Sequence, residues 1–195
     1  LYKRHNIGVY FGGTLFEIFL VRGMLDDYKR YLDKYNIELV EISDGSIKIP
    51  HEKKCEYIRD FSRDRIVISE VGYKRADIEI NEEDWIIMMK KELASGSFKV
   101  IAEARESGNT GIYDNCGRLK EGLINSIISN IPIDSVIWEA PLKSQQVCFI
   151  KHYGCNVNLG NIPYNEVIPL ETLRLGLRGD TFFSFISEEL KNKYL

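Results

Sequence analysis

Four aliphatic runs in this chain each terminate on a glutamate: Leu39-Val40-Glu41, Val67-Ile68-Ser69-Glu70, Val100-Ile101-Ala102-Glu103 and Val136-Ile137-Trp138-Glu139. The glutamates are 29, 33 and 36 residues apart, an interval of about one strand-plus-helix unit. Two further β-branched or aliphatic runs, at 7–11 and 157–162, extend the series to six candidate strands, the others being 39–42, 66–71, 100–104 and 136–140. Helical patterns lie between them. One follows Asn81 with Trp85, Met88, Met89 and Leu93 on a single face, and another places Leu119, Leu123, Ile124, Ile127 and Ile128 together. Thr14 and Glu17 are spaced as a capping box behind Gly12-Gly13, which marks the start of the first helix. Such alternation predicts a parallel sheet covered by helices.

An open sheet would spread the four glutamates along an edge, whereas a closed barrel gathers them around one mouth, at the C-terminal ends of the strands where barrel enzymes keep their sites. The expected fold is therefore an α/β TIM (β/α)8 barrel forming a single domain over residues 1–195. Six units in 195 residues, where eight typically need about 250, imply that about the first two units are absent from the front. The start at Leu1, in a segment that reads as the end of a helix, agrees with that expectation.

Carboxylates gathered in this way need cations. Two charges about 6 Å apart at an effective dielectric near 20 repel by about 3 kcal/mol, so a divalent ion with oxygen ligands or nearby basic side chains must sit among them. Lys74, Arg105 and Lys143 each follow a strand end closely. Lys74 can serve as a proton donor, a point charge for phosphate or a Schiff-base nucleophile, or be a solvated loop lysine. The guanidinium of Arg105 suits a carboxylate or phosphate, and the Gly108–Gly111 stretch behind it can be a lid or a plain surface turn. Arg174 and Arg178 lie four apart, where they can complete an anion pocket or pair with Glu171 or Asp180. With a net charge of −3 the chain has no general field for nucleic acid or an anionic membrane, so any anion is held by a local cluster. No run of apolar residues approaches the roughly 20 needed to cross a bilayer. Cys55, Cys116, Cys148 and Cys155 form no CxxC pair and read as buried, reduced thiols of a cytoplasmic protein; His5, His51 and His152 lack ligand spacing.

Several motifs in fixed order carry a resemblance: Gly12-Gly13-Thr14-Leu15-Phe16-Glu17, Glu41-Ile42-Ser43-Asp44-Gly45, Glu70-Val71-Gly72 with Lys74, Glu103-Ala104-Arg105-Glu106-Ser107-Gly108, Glu139-Ala140-Pro141 with Lys143-Ser144-Gln145-Gln146, and Leu170-Glu171-Thr172-Leu173-Arg174 through Thr181-Phe182. Together, over about residues 8–183, they resemble the phosphosulfolactate synthase family. The resemblance implies a TIM-barrel lyase that adds sulfite to phosphoenolpyruvate in a Mg²⁺-dependent reaction, giving (2R)-phospho-3-sulfolactate. That product serves coenzyme M synthesis in methanogens and sulfolactate synthesis in some spore formers. The roles expected here are Lys74 as the acid that protonates the ene-diolate, Glu70, Glu103 and Glu139 as Mg²⁺ ligands, and Arg105 as the grip on a carboxylate or sulfite. Lys143, Gln145, Asn161 and Arg178 are expected to hold phosphate. A homo-oligomer is expected, with Phe182, Phe183, Phe185, Ile186 and Leu190 capping the barrel or docking onto a neighbour. The competing readings are a non-enzymatic relative resembling the plant heat-stress-associated proteins, and an enolase-like or aldolase-like barrel acting on another phosphorylated acid.

Overall fold

The computed structural model describes residues 2–72, 80–105 and 107–194. Its sheet has six strands, β1 (Tyr10–Phe11), β2 (Leu39–Ile42), β3 (Ile66–Val71), β4 (Ser97–Ala102), β5 (Val136–Glu139) and β6 (Leu159–Gly160). The strands lie in chain order, each hydrogen-bonded in parallel to the next. The helices are α1 (Gly13–Val21), α2 (Leu25–Lys34), α3 (His51–Phe61), α4 (Glu82–Ala94), α5 (Glu121–Asn130), α6 (Lys143–Tyr153), α7 (Val167–Arg174) and α8 (Glu188–Tyr194). None of them is long and apolar enough to cross a membrane.

Period-two alternation along the strands separates two faces. Val40 and Ile42 of β2 and Val67 of β3 pack with Phe16, Tyr28, Leu32, Ile58 and Phe61 from α1, α2 and α3. Farther along, Val71, Val100, Ala102, Val136 and Trp138 pack with Trp85, Met89, Leu123, Ile127 and Phe149 from α4, α5 and α6. The residues between these outward-facing ones, Glu41, Glu70, Ile101, Glu103, Ile137 and Glu139, line the opposite, concave side. The glutamates thus point inward because the strand positions on either side of them are committed to the helices.

The sheet is curled. Flat, six strands at about 4.8 Å spacing would hold β1 and β6 roughly 24 Å apart, yet Tyr10 of β1 and Gly160 of β6 line one cavity. A register shift between Val67 and Ile68 in the β3–β4 pairing adds local twist.

Several expectations need correction. The outer strands are two residues each, shorter than 7–11 and 157–162, and β4 begins three residues early at Ser97. Two helices, α1 and α2, separate β1 from β2, so alternation is not strict. Thr14 and Glu17 form no capping box: α1 starts behind Gly12 without a side-chain cap. Glu17 is instead buried, accepting from Ser43 Oγ at 2.5 Å and from the Ser46 amide. The helix expected after Asn81 is α4, and Asn81 caps it, its side chain accepting from the Asp84 amide at 2.8 Å. All four cysteines are free thiols, but only Cys55 is buried and Cys116 is exposed.

Candidate active site

The concave side opens into a cavity of about 870 Å³ at the C-terminal ends of the strands. Glu41, Glu70, Glu103 and Glu139, from β2 through β5 or the residue next to them, all line it, with Tyr10, Arg105 and Asn161. Oxygen atoms of Glu70, Glu103 and Glu139 lie within 4.8 Å of one another. At no more than that separation, and an effective dielectric near 20, each pair of charges would repel by about 3.5 kcal/mol or more.

Backbone amides take up part of this charge and set the side-chain directions. The Gly13 amide donates to Glu41 Oε1 at 2.8 Å, the Ala104 amide to Glu139 Oε2 at 2.8 Å, and the Arg105 amide to Glu103 Oε1 at 2.8 Å. A Cβ on Gly13 would stand 2.5 Å from Glu41 Oε1, so only glycine lets the chain approach this closely. The Glu103 side chain is buried, and its Oε2 has no hydrogen-bond partner among the described residues. A carboxylate oxygen left so, beside two more carboxylates and in an all-oxygen donor set, fits a hard divalent cation such as Mg²⁺.

Arg105 turns the chain sharply off the end of β4 with φ of 54°, which puts its exposed side chain at the cavity mouth. The loop that follows is tied down. The Ile112 amide donates to the Glu103 carbonyl, the Tyr113 hydroxyl to the Glu139 carbonyl at 2.7 Å, and the Gln145 amide nitrogen to the carbonyls of Gly108 and Gly117 at 2.8 and 3.2 Å. So held, Ser107, Asn109, Thr110 and Asn115 form a polar wall of the cavity. Tyr10 closes the side toward β1, its phenol pushed up to about 12 by partial burial and by the carboxylates of Glu41, Glu139 and Glu70.

The structure brings together Glu70, Glu103, Glu139, Arg105 and Asn161 among the residues singled out from sequence. Lys74 lies outside the described residues. Lys143, Gln145 and Arg178 do not line the cavity. Lys143 pairs with Asp180 at 2.6 Å, while Gln145 spends its amide on the 107–117 loop and accepts from the Leu142 amide at 3.1 Å. Arg178 falls beyond the end of α7, so no shared helical face with Arg174 exists, and Arg174 donates to the carbonyls of Cys155 and Val157. The Gly108–Gly111 stretch belongs to a segment bonded to Gln145 and to the Glu103 carbonyl, and its neighbours Ser107, Asn109, Thr110 and Asn115 line the cavity. Sequence reading missed Tyr10, Thr14, Ser107, Asn109, Thr110 and Asn115. The available signal was position, since each stands just before or after a strand end or within a loop that follows one.

The family model for (2R)-phospho-3-sulfolactate synthase (ComA) matches residues 1–180. The chain belongs to this family. It is 44% identical over 184 residues to phosphosulfolactate synthase of Bacillus subtilis, covering 93% of this chain and 73% of that protein. Identity is 42% over 186 residues with phosphosulfolactate synthase of Methanothermobacter thermautotrophicus, covering 93% of this chain and 72% of that one. With the Methanocaldococcus jannaschii phosphosulfolactate synthase it is 45% over 186 residues, covering 93% and 74%. As a phosphosulfolactate synthase family member the chain is an enzyme of this kind, and the cavity at the strand ends is where its fold gathers reactive side chains.

Proposed function

We propose that this cavity joins sulfite to phosphoenolpyruvate with Mg²⁺ as cofactor, giving (2R)-phospho-3-sulfolactate. The observation that carries the reading is the meeting of Glu70, Glu103 and Glu139 within 4.8 Å in a cavity that Arg105 also lines, in a chain of this family. Glu70, Glu103 and Glu139 would hold the ion. When bound, Mg²⁺ supplies positive charge against which negative charge on a substrate carboxylate is stabilised.

The chemistry then asks the protein for three things. Sulfite sulfur bonds to the methylene carbon of phosphoenolpyruvate, the double-bond pair moves toward the carboxylate as an ene-diolate, and a proton is added to the phosphate-bearing carbon. Both reactants are anions, so their approach needs fixed cations; Arg105 provides a planar pair of donors for a carboxylate or sulfite. Phosphate is assigned to Asn161 and the polar wall of Ser107, Asn109, Thr110 and Asn115, whose hydroxyl and amide groups can donate hydrogen bonds to its oxygens. Lys74 is assigned as the acid, delivering its proton to one face so that a single configuration results. Placing these donors before the reaction, rather than reorganising solvent during it, is the largest contribution such a site can make.

The curl of the sheet supports reading the fold as a (β/α)8 barrel in which about two further strand–helix units seat between β6 and β1. We place the enzyme in the cytoplasm, in keeping with its four free thiols, and as a homo-oligomer in contact through the exposed Phe182, Phe183 and Phe185. Mixing the purified protein with Mg²⁺, phosphoenolpyruvate and sulfite should yield phosphosulfolactate, seen by ³¹P NMR and mass spectrometry. Failure to form it while both substrates persist would refute the assignment.

A further inference from the structure

Behind β3 lies a charged cluster that the reaction does not touch. The Lys54 side chain, in the first turns of α3, is wholly buried. Its Nζ stands 2.8 Å from Asp44 Oδ1 and 2.9 Å from Glu92 Oε1, and it donates a third hydrogen bond to the Glu70 carbonyl. Glu92 is also 3.1 Å from His51 Nε2. Burial by itself would lower the Lys54 pKa, but the facing carboxylates of Glu92 and Asp44 outweigh it and hold the group above its ordinary value, so the ammonium is charged. A buried set of one cation and two carboxylates is a poor way to gain stability, since apolar residues of equal volume commonly do as well. It does fix geometry. The three N–H donors of the ammonium reach the segment after β2, the last turn of α4 and the peptide of Glu70, and so set these elements against one another.

We infer that Lys54 is a positioning residue for the carboxylate cluster. By holding the Glu70 carbonyl from behind the sheet, it fixes the direction in which Cα of Glu70 projects its side chain toward Glu103 and Glu139. The inference rests on reading Glu70, Glu103 and Glu139 as a divalent-cation site.

Lys54→Met alone leaves Asp44 and Glu92 buried against each other, so the informative variant is the neutral triple Lys54→Met, Asp44→Asn, Glu92→Gln, which keeps the volume without the charges. Mn²⁺ is the probe, its affinity measured without substrates by electron paramagnetic resonance and calorimetry. The triple variant should retain its circular dichroism spectrum and bind Mn²⁺ at least tenfold more weakly, with kcat at saturating metal within threefold of wild type. Unchanged Mn²⁺ affinity in the folded triple variant, while Glu103→Gln weakens binding, overturns the role of Lys54 and leaves the metal site standing. Wild-type protein that takes up no Mn²⁺ overturns both.

Discussion

Replacing Gln145 by alanine removes the tie between the start of α6 and the polar wall of the cavity. The side chain is 3% exposed and makes three hydrogen bonds, to the Gly108 and Gly117 carbonyls and from the Leu142 amide. At about 1 kcal/mol net for each neutral bond the upper bound is about 3 kcal/mol, and water reaching the two freed carbonyls returns part of it, leaving about 2 kcal/mol. For a chain of this size that corresponds to a Tm lower by roughly 5 °C. The loss falls first on the loop, so the Ile112 and Lys120 amides, which bond the Glu103 and Ile112 carbonyls, should exchange with deuterium about thirtyfold faster. The central amides of β4 should be little affected. Because the loop presents Ser107, Asn109 and Thr110, KM for phosphoenolpyruvate should rise with kcat much less changed. Unaltered exchange and Tm together with a raised KM would refute this reasoning, and would return Gln145 to the direct phosphate contact expected from sequence.

Glu103→Gln keeps the oxygen that accepts from the Arg105 amide but removes one of three mutually repelling charges. Metal-free protein should therefore melt at a higher temperature, while half-saturation by Mg²⁺ moves up at least tenfold; an unchanged metal requirement counts against Glu103 as a ligand. Lys74→Met should fold normally by circular dichroism and lose turnover by about 10²- to 10⁴-fold, and an active variant removes Lys74 from the mechanism. Tyr10 titrates near 12 in the folded chain against 10.0 in the open chain, so folding binds an extra proton between these values. The stability it lends is present below pH 10 and is lost as pH rises toward 12. Tyr10→Phe should flatten that part of the denaturation-midpoint profile relative to wild type, and an identical profile would show that Tyr10 is not held beside the glutamates.

The chain's own pattern carried the repeat and the direction of the four glutamates. Val40 and Ile42 around Glu41, Ala102 and Ala104 around Glu103, and Trp138 and Ala140 around Glu139 are apolar residues that helices must cover, and a two-residue period leaves the acid on the other face. Local rules of this kind need no knowledge of distant partners. The same holds for the cap at Asn81, where donor and acceptor are three residues apart. Local spacing misled where a residue had a stronger distant claim on it, as when Glu17 turned to Ser43 instead of closing a capping box.

Tertiary structure decided the use of the polar residues whose partners are remote in the chain. Gln145 meets Gly108 across 37 residues, and Lys54 joins Asp44, Glu70 and Glu92 from three separate elements. An amide or ammonium has the same chemistry whether it faces a ligand or a buried carbonyl, so composition and spacing do not separate the two roles. Only the folded chain, by placing a partner within about 3 Å and excluding water, commits each group to one of them.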